Sequence, residues 1–338
     1  MYTRRQFAKT LLVASPAIRL WQSTKSARVN STIRGVRMGL QSACFTFSGM
    51  GLDDIVTTML KVGLAEIDVM SEHVEQYLGA PGVQLPGTGR PGPWTRDTRA
   101  GAAGTPTNVP GSPTPDGTAA RRAGAPGGLG RGGDPAVREG LRNWRLAVSL
   151  DRYREVAKKF TDAGLTFYSY NLSFNDTYSD AEIEKGLEMT KALGTKIITA
   201  SSPLSVLPRV APLAEKHGVI VALHNHANGP DDFASAMALS KNMWVNLDVG
   251  HFFASGYDSV AYIREHHARI TNLHIKDRQK NQGREMPFGS GDTPLKEVLL
   301  LVRKEKYDFP VCIEYVGPDG PAAELTRCLD YCKAVLLL

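Results

Sequence analysis

Apart from one segment, the chain alternates short apolar runs with amphipathic stretches. Runs at 36–44, 64–70, 166–172, 196–201, 219–226, 244–250, 271–277 and 310–316 are rich in Val, Ile and Leu and predict strands. Stretches at 52–62, 150–163, 180–193, 203–217, 231–241, 258–268, 293–306 and 321–336 repeat apolar residues at helical spacing and predict helices. Gly63, Gly164, Gly194 and Gly218 stand where helices should end, because glycine takes the left-handed conformation that closes a helix without penalty. Eight strands, each followed by a helix, is the count of an α/β (β/α)8 TIM barrel.

The segment 79–140 breaks the pattern. It holds 16 glycines and 10 prolines and almost no large apolar residues. Such a stretch cannot bury enough surface to offset the entropy of ordering it. It reads as a disordered or loosely ordered insertion after the second strand, on the face where the active sites of barrels lie. Glycine does not recur every third residue, so it is not collagen-like. Its "GGLGRGG" has no preceding strand and is a weak phosphate-loop signal.

Charge sharpens this division. The chain is +6 overall, but residues 1–30 alone are +6 and 79–140 is +3, which leaves the rest at −3. A mildly acidic body has no basic footprint for nucleic acid. The start, "TRRQFAKTLLVASPA", pairs Arg4 and Arg5 ahead of a short apolar run and looks like a twin-arginine export signal. That run is too short to span a bilayer, so no membrane association is expected. The expected organisation is a signal and linker over 1–30 and a barrel over 31–338, interrupted by 79–140. The expected location is periplasmic or otherwise exported, or cytoplasmic if the signal does not function. Four cysteines without a C-x-x-C pair read as buried thiols, with a Cys44–Cys312 bridge open if their strands are neighbours.

The chemistry lies at the strand ends. Side chains alternate between the two faces of a strand. In "VALHNH" His224 and His226 share one face; in "VNLDVG" Asn246 and Asp248 do, in "NLHIKD" Asn272, His274 and Lys276, in "VCIEYV" Cys312 and Glu314, and in "AEIDVM" Glu66 and Asp68. The branched apolar residues between them face the helices. One polar strand residue is usually a satisfied core group. Five strands that converge carboxylates and imidazoles on one mouth are costly to desolvate, and a cation offsets that cost. His224, Asp248, His274 and Glu314 form a ligand set suited to Mn, Co, Zn or Fe rather than Ca.

"NLDVGHF", "NLHIKD" and "VCIEYV", in this order, resemble the xylose-isomerase-like barrel superfamily of sugar isomerases, keto-sugar 3-epimerases, inosose dehydratases and an apurinic endonuclease branch. The resemblance covers about 36–336 outside the insertion. It implies that Asp248, His274 and Glu314 are metal ligands and that His251 binds or orients substrate. It also places Lys276 and Asp277 beside the ligand histidine, with Lys276 toward a substrate oxygen. The departure is on the fifth strand. Epimerases that this chain resembles carry a glutamate there, both ligand and one of two opposed bases, where this chain has His224.

The expected function is therefore a divalent-metal-dependent sugar isomerase or epimerase in which Glu314 removes a proton next to a carbonyl and His226, His251 and Lys276 complete the catalysis. Asp68, Asn171 and Asp277 are the expected substrate contacts, with a small carbohydrate as partner and a homodimer left open. Loss of one of two symmetric bases keeps a lyase or dehydratase acting on a 3-keto-glycoside or keto-sugar in view. A non-catalytic sugar-binding barrel is the third reading. A nuclease would need more ligands and a basic face.

Overall fold

A computed structural model describes residues 27–85 and 134–338. The proposed export signal, with Arg4 and Arg5, and most of the Gly/Pro-rich segment lie outside the described residues. The barrel strands are β1 (Val36–Gln41), β2 (Glu66–Met70), β3 (Thr166–Asn171), β4 (Ile197–Ala200), β5 (Ile220–His224), β6 (Met243–Asp248), β7 (Ile270–Ile275) and β8 (Val311–Ile313). Each pairs in parallel with the next, and β8 pairs with β1, so the sheet closes on itself. This is the predicted TIM barrel.

The helices are α1 (Leu52–Val62), α2 (Ser71–Tyr77), α3 (Pro135–Ala147), α4 (Leu150–Asp162), α5 (Asp180–Ala192), α6 (Leu207–His217), α7 (Pro230–Leu239), α8 (Val249–Ala254), α9 (Ser259–His266), α10 (Leu295–Glu305) and α11 (Pro321–Leu336). They pack on the outward strand residues: Val221, Leu223, Val245, Leu247, Leu273, Ile275, Val311 and Ile313 are all buried. Gly63, Gly164, Gly194 and Gly218 have φ of +82°, +77°, +81° and +63°, the left-handed closure expected of them. Among the described residues no helix is long and apolar enough to cross a membrane. The four cysteines are buried and free, so Cys44 and Cys312 are not bridged.

The insertion ends earlier than the composition indicates. Residues 135–140 belong to α3, which Asp134 caps through Ala136 N and Pro135 enters at its first turn. Arg138, Arg142 and Arg145 follow at intervals of four and three, so they form one stripe. Arg138 and Arg142 both reach Glu182 of α5. Arg145 grips Glu75 of α2 through two bonds of 2.6 and 2.8 Å and donates to the Tyr178 hydroxyl at 2.6 Å. The stripe fastens the returning chain to elements on both sides of β3. Its signal was masked because glycine and arginine dominate the flanking composition.

Two register shifts decide which residues share the barrel interior. Between β6 and β7, Val245 pairs with Ile270 but Asn246 pairs with Asn272, so Thr271 is an extra residue. In an unbroken register Asp248 would face Leu273; after the shift it faces His274. Between β2 and β3 a similar shift leaves Tyr168 extra and sets Asp68 opposite Ser169. The Tyr168 hydroxyl donates to the Thr271 carbonyl, so the two extra residues meet.

Candidate metal centre

The polar side chains of five strands meet at the C-terminal mouth. His224 ends β5, is 4% exposed, and has Nδ1 2.8 Å from Asn246 Oδ1. An amide oxygen only accepts, so His224 donates from Nδ1 and keeps a free lone pair on Nε2. Burial first, then the neighbouring His274 and His226, hold its pKa well below the ordinary imidazole range. Asn246 in turn donates to the Asn272 carbonyl at 3.3 Å.

Asp248 ends β6 and caps α8, with Oδ1 accepting from His251 N at 2.7 Å. Asn225 holds its backbone from both sides: Asp248 N donates to Asn225 Oδ1 at 2.8 Å, and Asn225 Nδ2 donates to Asp248 O at 3.1 Å. His274 Nε2 lies 2.9 Å from Asp68 Oδ2, and Asp68 also accepts from Thr199 Oγ1 at 2.8 Å. Glu314 follows β8 directly, and its Oε1 accepts from Lys276 Nζ at 2.8 Å.

At the mouth, Asp248 Oδ2 is buried without a hydrogen-bond partner, and His274 Nδ1 and Glu314 Oε2 have only each other. Buried polar atoms are rarely left so, and each costs about 1–3 kcal/mol when they are. His224, Asp248, His274 and Glu314 each offer one ligand atom, all within 4.8 Å of one another. His274 Nδ1 and Glu314 Oε2 are 3.0 Å apart. Donors about 2.1 Å from one ion, at right angles, stand about 3.0 Å apart. The donor set fits a divalent first-row ion. Asp68–His274 supplies the carboxylate–histidine pair that fixes ring orientation behind such ligands.

A second group, His224, His226 and His251, also lies within 4.8 Å. It is not a separate centre. Its one free His224 nitrogen is shared with the first group, and His251 has a cationic donor against each nitrogen: Arg278 Nη1 at 2.6 Å from Nδ1 and Lys276 Nζ at 3.2 Å from Nε2.

The electrostatics follow from this packing. Burial pulls His274 down, but its bonds to Asp68 and Glu314 outweigh it and raise the pKa to about 9, so without an ion it carries a proton. Burial opposes the charge on Lys276, yet Glu314 and Asp248 raise it above the ordinary lysine range. Burial raises Glu314, but the Lys276 ammonium and His274 bring it well below the carboxylate range. Burial lifts Asp248 to about 6 against Lys276. Burial and then Lys276 lower His226 to about 4, so it is a neutral imidazole at pH 7, facing the half-open mouth with Nε2 3.1 Å from Ser201 Oγ. Because a guanidinium only donates, His251 must accept at Nδ1 and carry its proton on Nε2, beside Lys276. Asp248 Oδ2 lies 4.0 Å from His251 Nε2 and 3.6 Å from Lys276 Nζ, beyond hydrogen-bond reach of either donor.

Two expected substrate contacts have other work. Asp68 is fully buried behind His274, bonded to Thr199 and the ring, and does not meet the mouth. Asp277 is 1% exposed, and its carboxylate accepts from the amides of Gly289, Gly291 and Thr293, which organises that loop. Alternation gives a residue's face but not its depth or its partner. Asn171, at the end of β3, is half-buried, and its side chain makes no hydrogen bond among the described residues. Glu66 lies at the other end of its strand, bonded to Arg37 at 2.8 Å. Sequence reasoning missed Asn225, Thr199, Ser201 and Arg278. Arg278 follows the "HIKD" motif directly, and that adjacency was the available signal.

Replacing Asp68 with asparagine should lower metal affinity about 10–100-fold without touching an ion ligand. Titration of metal-free protein, followed by metal analysis, checks this; unchanged affinity would mean that Asp68 is only a core group.

A family model described as xylose isomerase-like TIM barrel matches residues 134–332. No curated protein matches the chain. Among solved structures, a sugar phosphate isomerase/epimerase from Parabacteroides distasonis is 14% identical, with a TM-score of 0.56, covering 93% of this chain and 99% of its own. The probable 3-DHS dehydratase AsbF of Bacillus anthracis is 14% identical, with a TM-score of 0.55 over 86% of this chain and 97% of its own. The IolI protein, solved with a zinc atom, is 14% identical, with a TM-score of 0.55 over 89% and 98%. At these identities the likeness establishes the fold.

Proposed function

The chain belongs to the xylose isomerase-like TIM barrel family, and from that premise we propose that it is a divalent-metal-dependent isomerase or epimerase that moves a proton next to the carbonyl of a keto-sugar. One observation carries the reading. Four buried strand-end residues, His224, Asp248, His274 and Glu314, bring one ligand atom each within 4.8 Å of one another beside a buried ammonium. A divalent ion held by His224, Asp248, His274 and Glu314 would polarise a carbonyl and so acidify the adjacent carbon. We place Mn, Co, Zn and Fe as its candidates.

The residues then divide the work. Glu314, kept ionised by Lys276, takes the α-proton. Lys276 and the Nε2–H of His251 stabilise the negative oxygen that develops as an ene-diolate forms. His226, neutral and open to the mouth, accepts or relays a hydroxyl proton, and the unengaged Asn171 side chain binds a sugar hydroxyl. With a divalent ion bound, Asp248, Glu314 and Lys276 would leave the site at a net +1, which would favour the charged intermediate over the neutral substrate. Burial of every charged member except at the mouth excludes water from the developing oxyanion.

Solvent-deuterium incorporation at the α-carbon of keto-sugars, run alongside metal analysis, tests the reading. Wild-type protein should bind one ion per chain and incorporate deuterium. His224→Ala should lose metal and exchange together, while His224→Glu should keep the metal. Metal and exchange unaffected by both changes would remove β5 from the centre. A metal-free wild-type protein would favour the non-catalytic sugar-binding barrel.

A second reading rests on His224. Its Nδ1 is committed to Asn246, so it cannot act as the opposed base that a carboxylate would supply there. Elimination needs only one such base. Release of free aglycone from a 3-keto-glycoside, rather than a stereoisomer, would identify a lyase. Export by the twin-arginine route belongs to this proposal, and replacing Arg4 and Arg5 with lysine should keep the protein in the cytoplasm.

A further inference from the structure

An epimerase must return a proton as well as remove one, and the fifth strand does not provide the second group. A carboxyl from outside the barrel strands stands at the mouth. Asp277–Arg278 and Glu285–Met286 pair antiparallel as a short hairpin, with Glu285 directly opposite Arg278. Directly opposed residues project to the same face of a pair. On that face Arg278 reaches His251 Nδ1 at 2.6 Å. The neighbouring pair, Met286 and Asp277, belongs to the other face, where the Asp277 carboxylate holds the amides of Gly289 and Gly291. Glu285 therefore leaves the hairpin on the side of the site. Its Oε1 accepts from Val316 N at 3.2 Å, two residues beyond Glu314, and its other oxygen is uncommitted.

We propose that Glu285 is a second catalytic carboxyl, the acid that returns a proton to the ene-diolate after Glu314 has removed one. The inference rests on the isomerase or epimerase reading above. The proton on Oε2 passes to the carbon, the electron pair of the carbon–carbon double bond forms the new C–H bond, and the enolate oxygen becomes the carbonyl. Glu285 is left as a carboxylate and regains a proton from water, while Glu314 gives its own to solvent.

The surroundings suit an acid at neutral pH. Glu285 feels the charges of Lys276, Glu314 and Asp248, at the ends of β7, β8 and β6, and of Arg278 opposite it on the hairpin, with Cys44, Tyr315 and Cys328 also within its field. Burial, opposed by Lys276 and reinforced by the two carboxylates, raises Glu285 to about 7. A general acid works best with a pKa near the operating pH. The other groups do not offer this: His226 is neutral, and Glu314 starts ionised.

Glu285→Gln separates catalysis from anchoring, because glutamine still accepts from Val316 N but cannot give up a proton as an acid. Formation of the epimer should fall about 10²–10⁴-fold, while metal content stays full and deuterium still enters through Glu314. Wild-type epimer formation should decline as rising pH takes the proton from Glu285, and that decline should be absent from the residual rate of the variant. Glu285→Ala should add a loss of hairpin order. Wild-type exchange with an unchanged epimerisation rate and pH profile in Glu285→Gln would overturn the inference alone. Absence of exchange in wild-type protein would overturn both this inference and the reading beneath it.

Discussion

Glu314→Gln is expected to lower α-proton exchange by about two to four orders of magnitude, the usual range for removing a positioned general base. The substitution is isosteric and keeps an oxygen for Lys276 Nζ, now 2.8 Å from Oε1. It removes one of the two negative charges that hold the ammonium in place. Lys276 would keep only Asp248, at 3.6 Å, as a carboxylate partner. Metal affinity should fall in the same variant, so exchange must be measured at saturating metal to isolate the base. Exchange within tenfold of wild type under those conditions would assign proton abstraction to another group.

The second large effect lies far from the chemistry. Arg145→Met should destabilise the fold by about 3–5 kcal/mol, because one partner of a buried pair is removed and the other keeps its charge. The side chains of Arg145 and Glu75 are only 10% and 2% exposed. Tyr178 also loses the donor to its hydroxyl. Urea unfolding measures the loss. The double variant Arg145→Met/Glu75→Leu should recover most of it, since replacing a whole buried pair with apolar groups is often near neutral. A single variant as stable as wild type would show that α3 contributes little to the barrel.

Much of the architecture was legible because barrel strands and helices write different periods into the chain. The bounds of α1 and α11 coincide with the predicted 52–62 and 321–336. The meeting of Asp248, His274 and Glu314 was legible for the same reason: alternation carries them to one face. The end of β5 was less so. The predicted strand ran to His226, whereas the chain turns after His224 and brings His226 in from the turn, with its ring 4.9 Å from that of His224. What alternation could not reach is partnership. Asp68 and Asp277 have the composition of sugar contacts but are taken up by a ring and by loop amides. Helix α3 was hidden because its first six residues share the composition of the insertion. Arg278 and Glu285 lie beyond the barrel strands, on two-residue strands too short to write a period into the chain.

The paired register shifts carry a consequence for anyone who would transplant this centre. Four side chains copied onto a regular barrel would not reproduce it, because Asp248 and His274 face each other only where β7 carries one residue more than β6 over the same rise. The extra Thr271 and its counterpart Tyr168 on β3 set the register that brings these side chains together. A graft would need strands of unequal residue count, and a deletion of Thr271 should part Asp248 from His274 without altering either side chain.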